Sequence, residues 1–138
     1  EDTFCLTYGD GVSDIDINQV IALHEKESAE ITISAVQPAG RYGSLSITGN
    51  KVNKFFEKPK GDGQWVNGGF MVCEPSILKR IKNDETILEQ DPLIDLADEN
   101  QMAVHKHLGF WAAMDTLRDR KYLEGLWAEE EAPWKAWK

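Results

Sequence analysis

Two aspartates and one lysine carry the chemistry most legible in this chain. Asp10 stands in Thr7-Tyr8-Gly9-Asp10-Gly11, directly after the apolar run Phe4-Cys5-Leu6. A strand that ends in a small-residue turn presents its carboxylate at the C-terminal end, where ligands of open α/β sheets collect. Asp115 closes a second apolar run, Gly109-Phe110-Trp111-Ala112-Ala113-Met114, and Lys58 lies between the two in Phe55-Phe56-Glu57-Lys58-Pro59. Two carboxylates suit a hard divalent cation and a lysine suits a phosphate, so the set predicts Mg²⁺-dependent chemistry on a phosphoryl group. Asp10, Lys58 and Asp115 are the candidate catalytic residues, and Asp10 and Asp115 the candidate metal ligands. Each also has a plainer reading. Asp10 suits a Gly-Asp-Gly turn, Asp115 suits a helix N-cap before Thr116-Leu117-Arg118-Asp119, and Lys58 suits a solvated strand edge. These residues show no glycine-rich loop of the kind that cradles a triphosphate.

The elements that must position these groups follow from the hydrophobic pattern. Phe4 to Tyr8 reads as a short strand. Asp16 can cap a helix whose apolar face is Ile17, Val20, Ile21 and Leu23. Ile31 to Val36 is rich in β-branched residues and stops at Pro38 and Gly40, which predicts a strand. Ser44–Ile47 and Val52–Phe56 flank Thr48-Gly49-Asn50-Lys51, the spacer of a hairpin. Trp65 to Cys73 reads as a strand with Gly68-Gly69 inside it, a place where another backbone or a ligand comes close. Glu74-Pro75-Ser76 opens a short helix, Pro92 to Glu99 a second, and Met102–His107 and Phe110–Met114 are strands. A last helix opens at Asp115-Thr116 and carries Leu117, Tyr122, Leu123, Leu126 and Trp127. This alternation predicts one α/β domain over 1–138, a mixed, mainly parallel sheet of about five to seven strands flanked by helices.

Composition narrows the partners. The chain has 138 residues with a net charge of −9, which argues against a nucleic-acid surface because no basic stripe exists to displace phosphate counterions. No apolar stretch approaches the ~20 residues of a membrane helix, and no signal peptide opens the sequence. Cys5 and Cys73 sit in strand-like runs and read as buried thiols of a reducing, cytoplasmic setting, not as a disulfide. His105 and His107 share one strand face, but with no third ligand nearby an exposed strand edge is the better reading than a transition-metal site. The tryptophans read as packing, with Trp134 and Trp137 available to dock a neighbouring chain.

Taken in order, several segments resemble the sugar-1-phosphate nucleotidylyltransferases, most nearly their glucose-1-phosphate cytidylyltransferase branch. They are Thr7-Tyr8-Gly9-Asp10-Gly11-Val12, Gly40-Arg41-Tyr42-Gly43, Glu57-Lys58-Pro59-Lys60-Gly61-Asp62-Gly63, Asn67-Gly68-Gly69-Phe70, Gly109-Phe110-Trp111, Met114-Asp115-Thr116-Leu117-Arg118-Asp119 and Ala132-Pro133-Trp134-Lys135. Any one of them is weak; the ordered set spans essentially the whole chain. The resemblance implies part of a Rossmann-like nucleotide-diphospho-sugar transferase fold. It also implies a reaction, CTP plus glucose 1-phosphate giving CDP-glucose and pyrophosphate with Mg²⁺. By the same resemblance Tyr42, Gly43, Glu57, Lys58, Asn67 and Gly68 are substrate-binding residues. Outside it, Tyr42 and Gly43 read as a loop end and Asn67-Gly68-Gly69 as a bulge.

Members of that family open with a Gly-Gly-x-Gly-Thr-Arg loop that grips the nucleotide phosphates, and nothing here matches it. The resemblance therefore covers the C-terminal, sugar-phosphate half, with CTP bound only by an intact enzyme and Mg²⁺ held weakly or not at all. Trp111-Ala112-Ala113-Met114 also departs from the family, which has a bulkier polar pair before the methionine. Two functions follow: half of a cytidylyltransferase, inactive alone, or a free-standing truncated gene product serving as a non-catalytic binding or oligomerisation module. Homo-oligomers are expected in either case, through the strand Phe4–Tyr8 or the aromatic C-terminal segment. A nicotinamide-binding domain is excluded because no G-x-G-x-x-G follows a strand.

Overall fold

A computed structural model describes residues 2–38, 40, 44–57 and 64–137. The strands and helices fall in the order β1 (Phe4–Thr7), β2 (Gly11–Ser13), α1 (Ile17–Glu27), β3 (Ile31–Val36), β4 (Ser44–Thr48) and β5 (Lys51–Phe56). They continue with β6 (Val66–Cys73), a 3₁₀ turn (Pro75–Arg80), α2 (Asp91–Asp98), β7 (Met102–Lys106), β8 (Trp111–Ala113) and α3 (Leu117–Ala128).

The expected mixed sheet with flanking helices is present, with strand order β1-β6-β3-β7. β6 runs antiparallel to both β1 and β3, and β3–β7 is the one parallel pair of the three, so the sheet is mixed but not mainly parallel as expected: β6, inserted between β1 and β3, runs against the other three strands. The described strands do not merge into a single sheet of five to seven. β2–β8 and β4–β5 form two separate two-stranded ribbons.

Alternation along β3 explains the layering. Ile31 joins Met71, Cys73, Ile77, Leu93 and Leu96 in a core cluster on one face of the sheet. Thr32 points to the other face, where its hydroxyl meets the Nδ1 of His24 on α1 at 2.9 Å. Both faces of β3 are thus covered, and its residues are buried almost throughout. Asp16 caps α1 as its position predicts, accepting from the Asn18 amide at 3.0 Å. Pro75 opens the 3₁₀ turn that stands where a short helix was expected. The two-residue connection of β4 to β5 uses Gly49 at φ +57°, a conformation glycine adopts without strain.

Two expectations need correction. Cys73 is a buried free thiol, but Cys5 is exposed, because it lies on the face of β1 opposite the core-packed Phe4 and Leu6. His107 does not stand on an exposed strand edge: its Nε2 meets the Asp14 carboxylate at 2.7 Å and its side chain is largely covered. None of the described helices is long and apolar enough to cross a membrane.

Candidate functional site

The ribbon β2–β8 carries the two aspartates at the same end of one element. Its antiparallel register pairs Gly11 with Ala113, Val12 with Ala112 and Ser13 with Trp111. One step further, the Met114 amide donates to the Asp10 carbonyl at 2.8 Å. Asp10 and Asp115 therefore occupy the same end of the ribbon, just beyond the C-terminal end of β1, and both are exposed. The small Ala112-Ala113 pair forms this ribbon in register. Asp115 is not the helix cap that its sequence context suggests. Thr116 takes that role, accepting from the Asp119 amide, and Asp119 completes a capping box with the Thr116 backbone N–H.

The ribbon is fastened to the sheet at two points. The Trp111 indole donates to the Gly68 carbonyl at 2.8 Å, and the His107–Asp14 pair ties the end of β7 to the end of β2. Between ribbon and α3 lies an apolar hollow of about 290 Å³, walled by Val12, Met114, Leu123, Trp127 and Trp134, with Asp10 also in its wall. A larger groove of about 550 Å³ runs beside β1 and α1 past Phe4, Ile21 and His24. None of the candidate residues lines it, so the ribbon end is the better site.

Asn67 and Gly68 sit in a bulge of β6 whose register against β3 shifts between Ile33 and Ala35. The Asn67 side chain is engaged at both ends: its Nδ2 donates to the Tyr8 hydroxyl at 3.0 Å and its Oδ1 accepts from the Gly69 amide at 2.9 Å. A Cβ on Gly68 would stand 2.8 Å from a Val36 methyl. Gly69 takes φ +76° beneath the Tyr8 ring, where a Cβ would fall 2.5 Å from a ring carbon. Both glycines are dictated by close approach, as their place within a strand predicts. Glu57 follows β5 directly and is exposed. Lys58, Tyr42 and Gly43 lie outside the described residues.

Sequence reasoning missed the second partner of Tyr8. Burial, followed by the hydrogen bond and charge of Glu89, raises the Tyr8 phenol above its usual range, with a smaller push from Asp10 and an opposing one from Asn67. No short-range spacing signals that Glu89, in the loop before α2, bears on Tyr8 at the end of β1.

Among the described residues no group of three or more His, Cys, Asp or Glu side chains gathers closely enough to cage a metal. Mg²⁺ keeps several waters and binds through one or two carboxylates plus substrate phosphates. The donors at the ribbon end, two exposed carboxylates, fit that pattern.

Residues 1–127 match the family model described as nucleotidyl transferase. The chain belongs to the nucleotidyl transferase family. Among curated relatives, it is 49% identical over 137 residues to the glucose-1-phosphate cytidylyltransferase of Salmonella typhimurium, covering 99% of this chain and 53% of the relative. A Bacillus subtilis protein named "Probable glucose-1-phosphate cytidylyltransferase" is 33% identical over 138 residues, at 99% and 54% coverage. This nucleotidyl transferase chain thus spans about half the length of those relatives. Among solved structures, a Bacillus anthracis protein crystallised with sucrose and assigned provisionally as a glucose-1-phosphate thymidylyltransferase superposes with a TM-score of 0.66 at 15% identity, over 91% of this chain and 54% of that one. HddC from Yersinia pseudotuberculosis gives 0.56 at 21% identity, over 87% and 53%. At these identities the structural likeness speaks for the nucleotidyl transferase fold alone.

Proposed function

We propose that this chain is the sugar-phosphate half of a Mg²⁺-dependent cytidylyltransferase that joins CTP and glucose 1-phosphate into CDP-glucose and pyrophosphate. The observation that carries the reading is the β2–β8 register, which sets Asp10 and Asp115 at one ribbon end beyond β1. The 49% identity to a glucose-1-phosphate cytidylyltransferase supplies the substrates. Asp10 and Asp115 would hold Mg²⁺, and the bound ion would neutralise charge on the reacting phosphates. Lys58 neutralises the sugar phosphate, and Glu57 accepts hydrogen bonds from sugar hydroxyls, aided by Tyr42, Gly43 and the bulge at Asn67-Gly68. Catalysis of this kind is mostly positioning and charge neutralisation.

Alone, the chain makes no CDP-glucose at a useful rate, since it carries no loop to hold CTP and stabilise the leaving pyrophosphate. Losing even one preorganised donor costs ~10²–10³ in comparable settings. A cytoplasmic setting is in keeping with the two free thiols. The test is a titration of the purified chain with glucose 1-phosphate and Mg²⁺, alongside an assay for pyrophosphate. Binding that Lys58→Ala removes, with no pyrophosphate released, is the expected result. Pyrophosphate release abolished by Asp10→Ala would overturn the inactivity, and absence of glucose 1-phosphate binding would overturn the substrate. The second reading, a non-catalytic association module, draws on the exposed Leu117, Trp127 and Trp137 of the C-terminal segment, and predicts oligomers without ligand.

A further inference from the structure

His107 ties the β2–β8 ribbon to the central sheet. Its backbone amide donates to the Ala35 carbonyl at 2.9 Å, which anchors the residue to β3, the strand buried almost throughout. Its ring reaches the other way. Nε2 faces two acceptors, the Asp14 carboxylate at 2.7 Å and the Phe110 carbonyl at 3.2 Å. That nitrogen therefore carries the proton and donates to both.

The Phe110 carbonyl is the centre of a knot. Besides His107, it accepts from the Ser13 hydroxyl at 2.6 Å and from the Asp14 amide at 3.3 Å. One oxygen thus collects a donor from the end of β7 and two from the end of β2. Gly109 completes the arrangement. A Cβ there would stand 2.6 Å from the Asp14 Oδ1 and 2.7 Å from the His107 Cε1, so carboxylate and imidazole already fill the space a side chain would need.

The knot closes one end of a ladder whose other end bears the two aspartates. Only three residue pairs separate the Asp14–Phe110 hydrogen bond from the Met114–Asp10 one. A two-stranded ribbon has little order of its own, so the place of its far end depends on how its near end is held.

We propose that His107 is a positioning residue for the cation: by pinning Asp14 and the Phe110 carbonyl to β3, it sets the angle at which the ribbon presents Asp10 and Asp115. This rests on the Mg²⁺ reading above and deepens it. Asp14 is the other half of the device, and Gly109 leaves room for both. An apolar side chain in place of the imidazole would fill the space and supply no donor. The ribbon would then turn about its remaining fastening, the Trp111 indole on the Gly68 carbonyl.

The test uses Mn²⁺, a paramagnetic substitute for Mg²⁺ that takes the same carboxylate oxygens, and follows broadening of amide NMR signals in the purified chain. In wild type, Asp10, Met114 and Asp115 should broaden first. His107→Leu removes the donor, His107→Gln offers two amide hydrogens to the same two acceptors, and Gly109→Ala forces the pair apart. We expect His107→Leu and Gly109→Ala to need about tenfold more Mn²⁺ for equal broadening, the low end for residues that orient a metal ligand. His107→Gln should stay near wild type. Urea midpoints taken in parallel separate this from stability alone: a packing role would lower the midpoint of His107→Leu and leave the Mn²⁺ titration of the folded chain unchanged, and the proposal would fall. It would fall too if His107→Gln lost as much as His107→Leu, since donation by the ring would not then matter. Should His107→Leu not fold, Gly109→Ala against wild type decides by the same criterion. If wild type shows no broadening at Asp10 and Asp115, the cation reading itself falls, and this proposal with it.

Discussion

Arg80 lies between two carboxylates, its guanidinium 2.9 Å from Glu30 and 2.6 Å from Glu99. Hydrogen bonds from Arg80 hold both carboxyls below their ordinary value of 4.5, with Ser76 adding to the effect on Glu30. Glu74 is lowered too, by Thr3 first and His24 second. Groups depressed in the folded state add stability that is fully present above the unfolded value and is lost as the pH falls through the folded one. The chain should therefore lose stability on acidification below about pH 4.5, and Arg80→Met should flatten that dependence. Urea midpoints measured at several pH values check this; parallel curves for the two proteins would refute it. At Gly69, the φ of +76° and the Tyr8 ring leave no room for a methyl group. Gly69→Ala should cost at least about 1–3 kcal/mol, the usual penalty of a left-handed non-glycine backbone, read from the denaturation midpoint.

Among the elements, the ribbon β2–β8 is too short to stand alone, since a two-stranded hairpin is marginal in water. Its order depends on what fastens it. Trp111→Phe keeps the ring and removes the hydrogen bond to the Gly68 carbonyl, so it should cost about 1–3 kcal/mol and lower amide exchange protection across Gly11–Ser13. Unchanged protection would show that the His107–Asp14 pair suffices. Hydrophobic period and cap chemistry made most elements legible: α1 begins after Asp16, the hairpin turns at Gly49, and β6 carries its close-approach glycines. What could not be read was long-range. His107 finds Asp14 across 93 positions, and Asn67 finds Tyr8 across 59. Such partners leave no trace in local spacing. Nor does the reversed direction of β6, which makes a run of strand signals into a mixed sheet with two detached ribbons. Asp10 stands just before β2 and Asp115 just past β8, and of the two readings open to Asp115 the helix cap falls, because Thr116 and Asp119 together form the capping box.

For the whole molecule, apolar surface is unevenly spent. Leu45, Ile47, Val52 and Phe55 are each more than half exposed on the β4–β5 ribbon, and Leu117, Tyr122, Trp127 and Trp137 are exposed near the C-terminus. β1 is the last strand on its side of the four-stranded sheet. A strand edge with no neighbour among the described residues, together with apolar patches, favours pairing between chains. Sedimentation equilibrium at micromolar concentration should therefore show a dimer or larger, and a clean monomer would be the contrary result. The order of the central sheet also governs how the chain can be made. β1 and β3 touch only through β6, and Phe4 finds its partner in Cys73. During synthesis neither the β1–β6 nor the β3–β6 pairing can form until the polypeptide has grown into β6 and towards Cys73. Closing so distant a contact as Phe4 with Cys73 is slow, and the side of β3 that β6 covers stays bare until then. Pulse-labelled translation intermediates ending before Val66 should accordingly leave β3 open to protease, with its resistance appearing as one step once β6 has emerged.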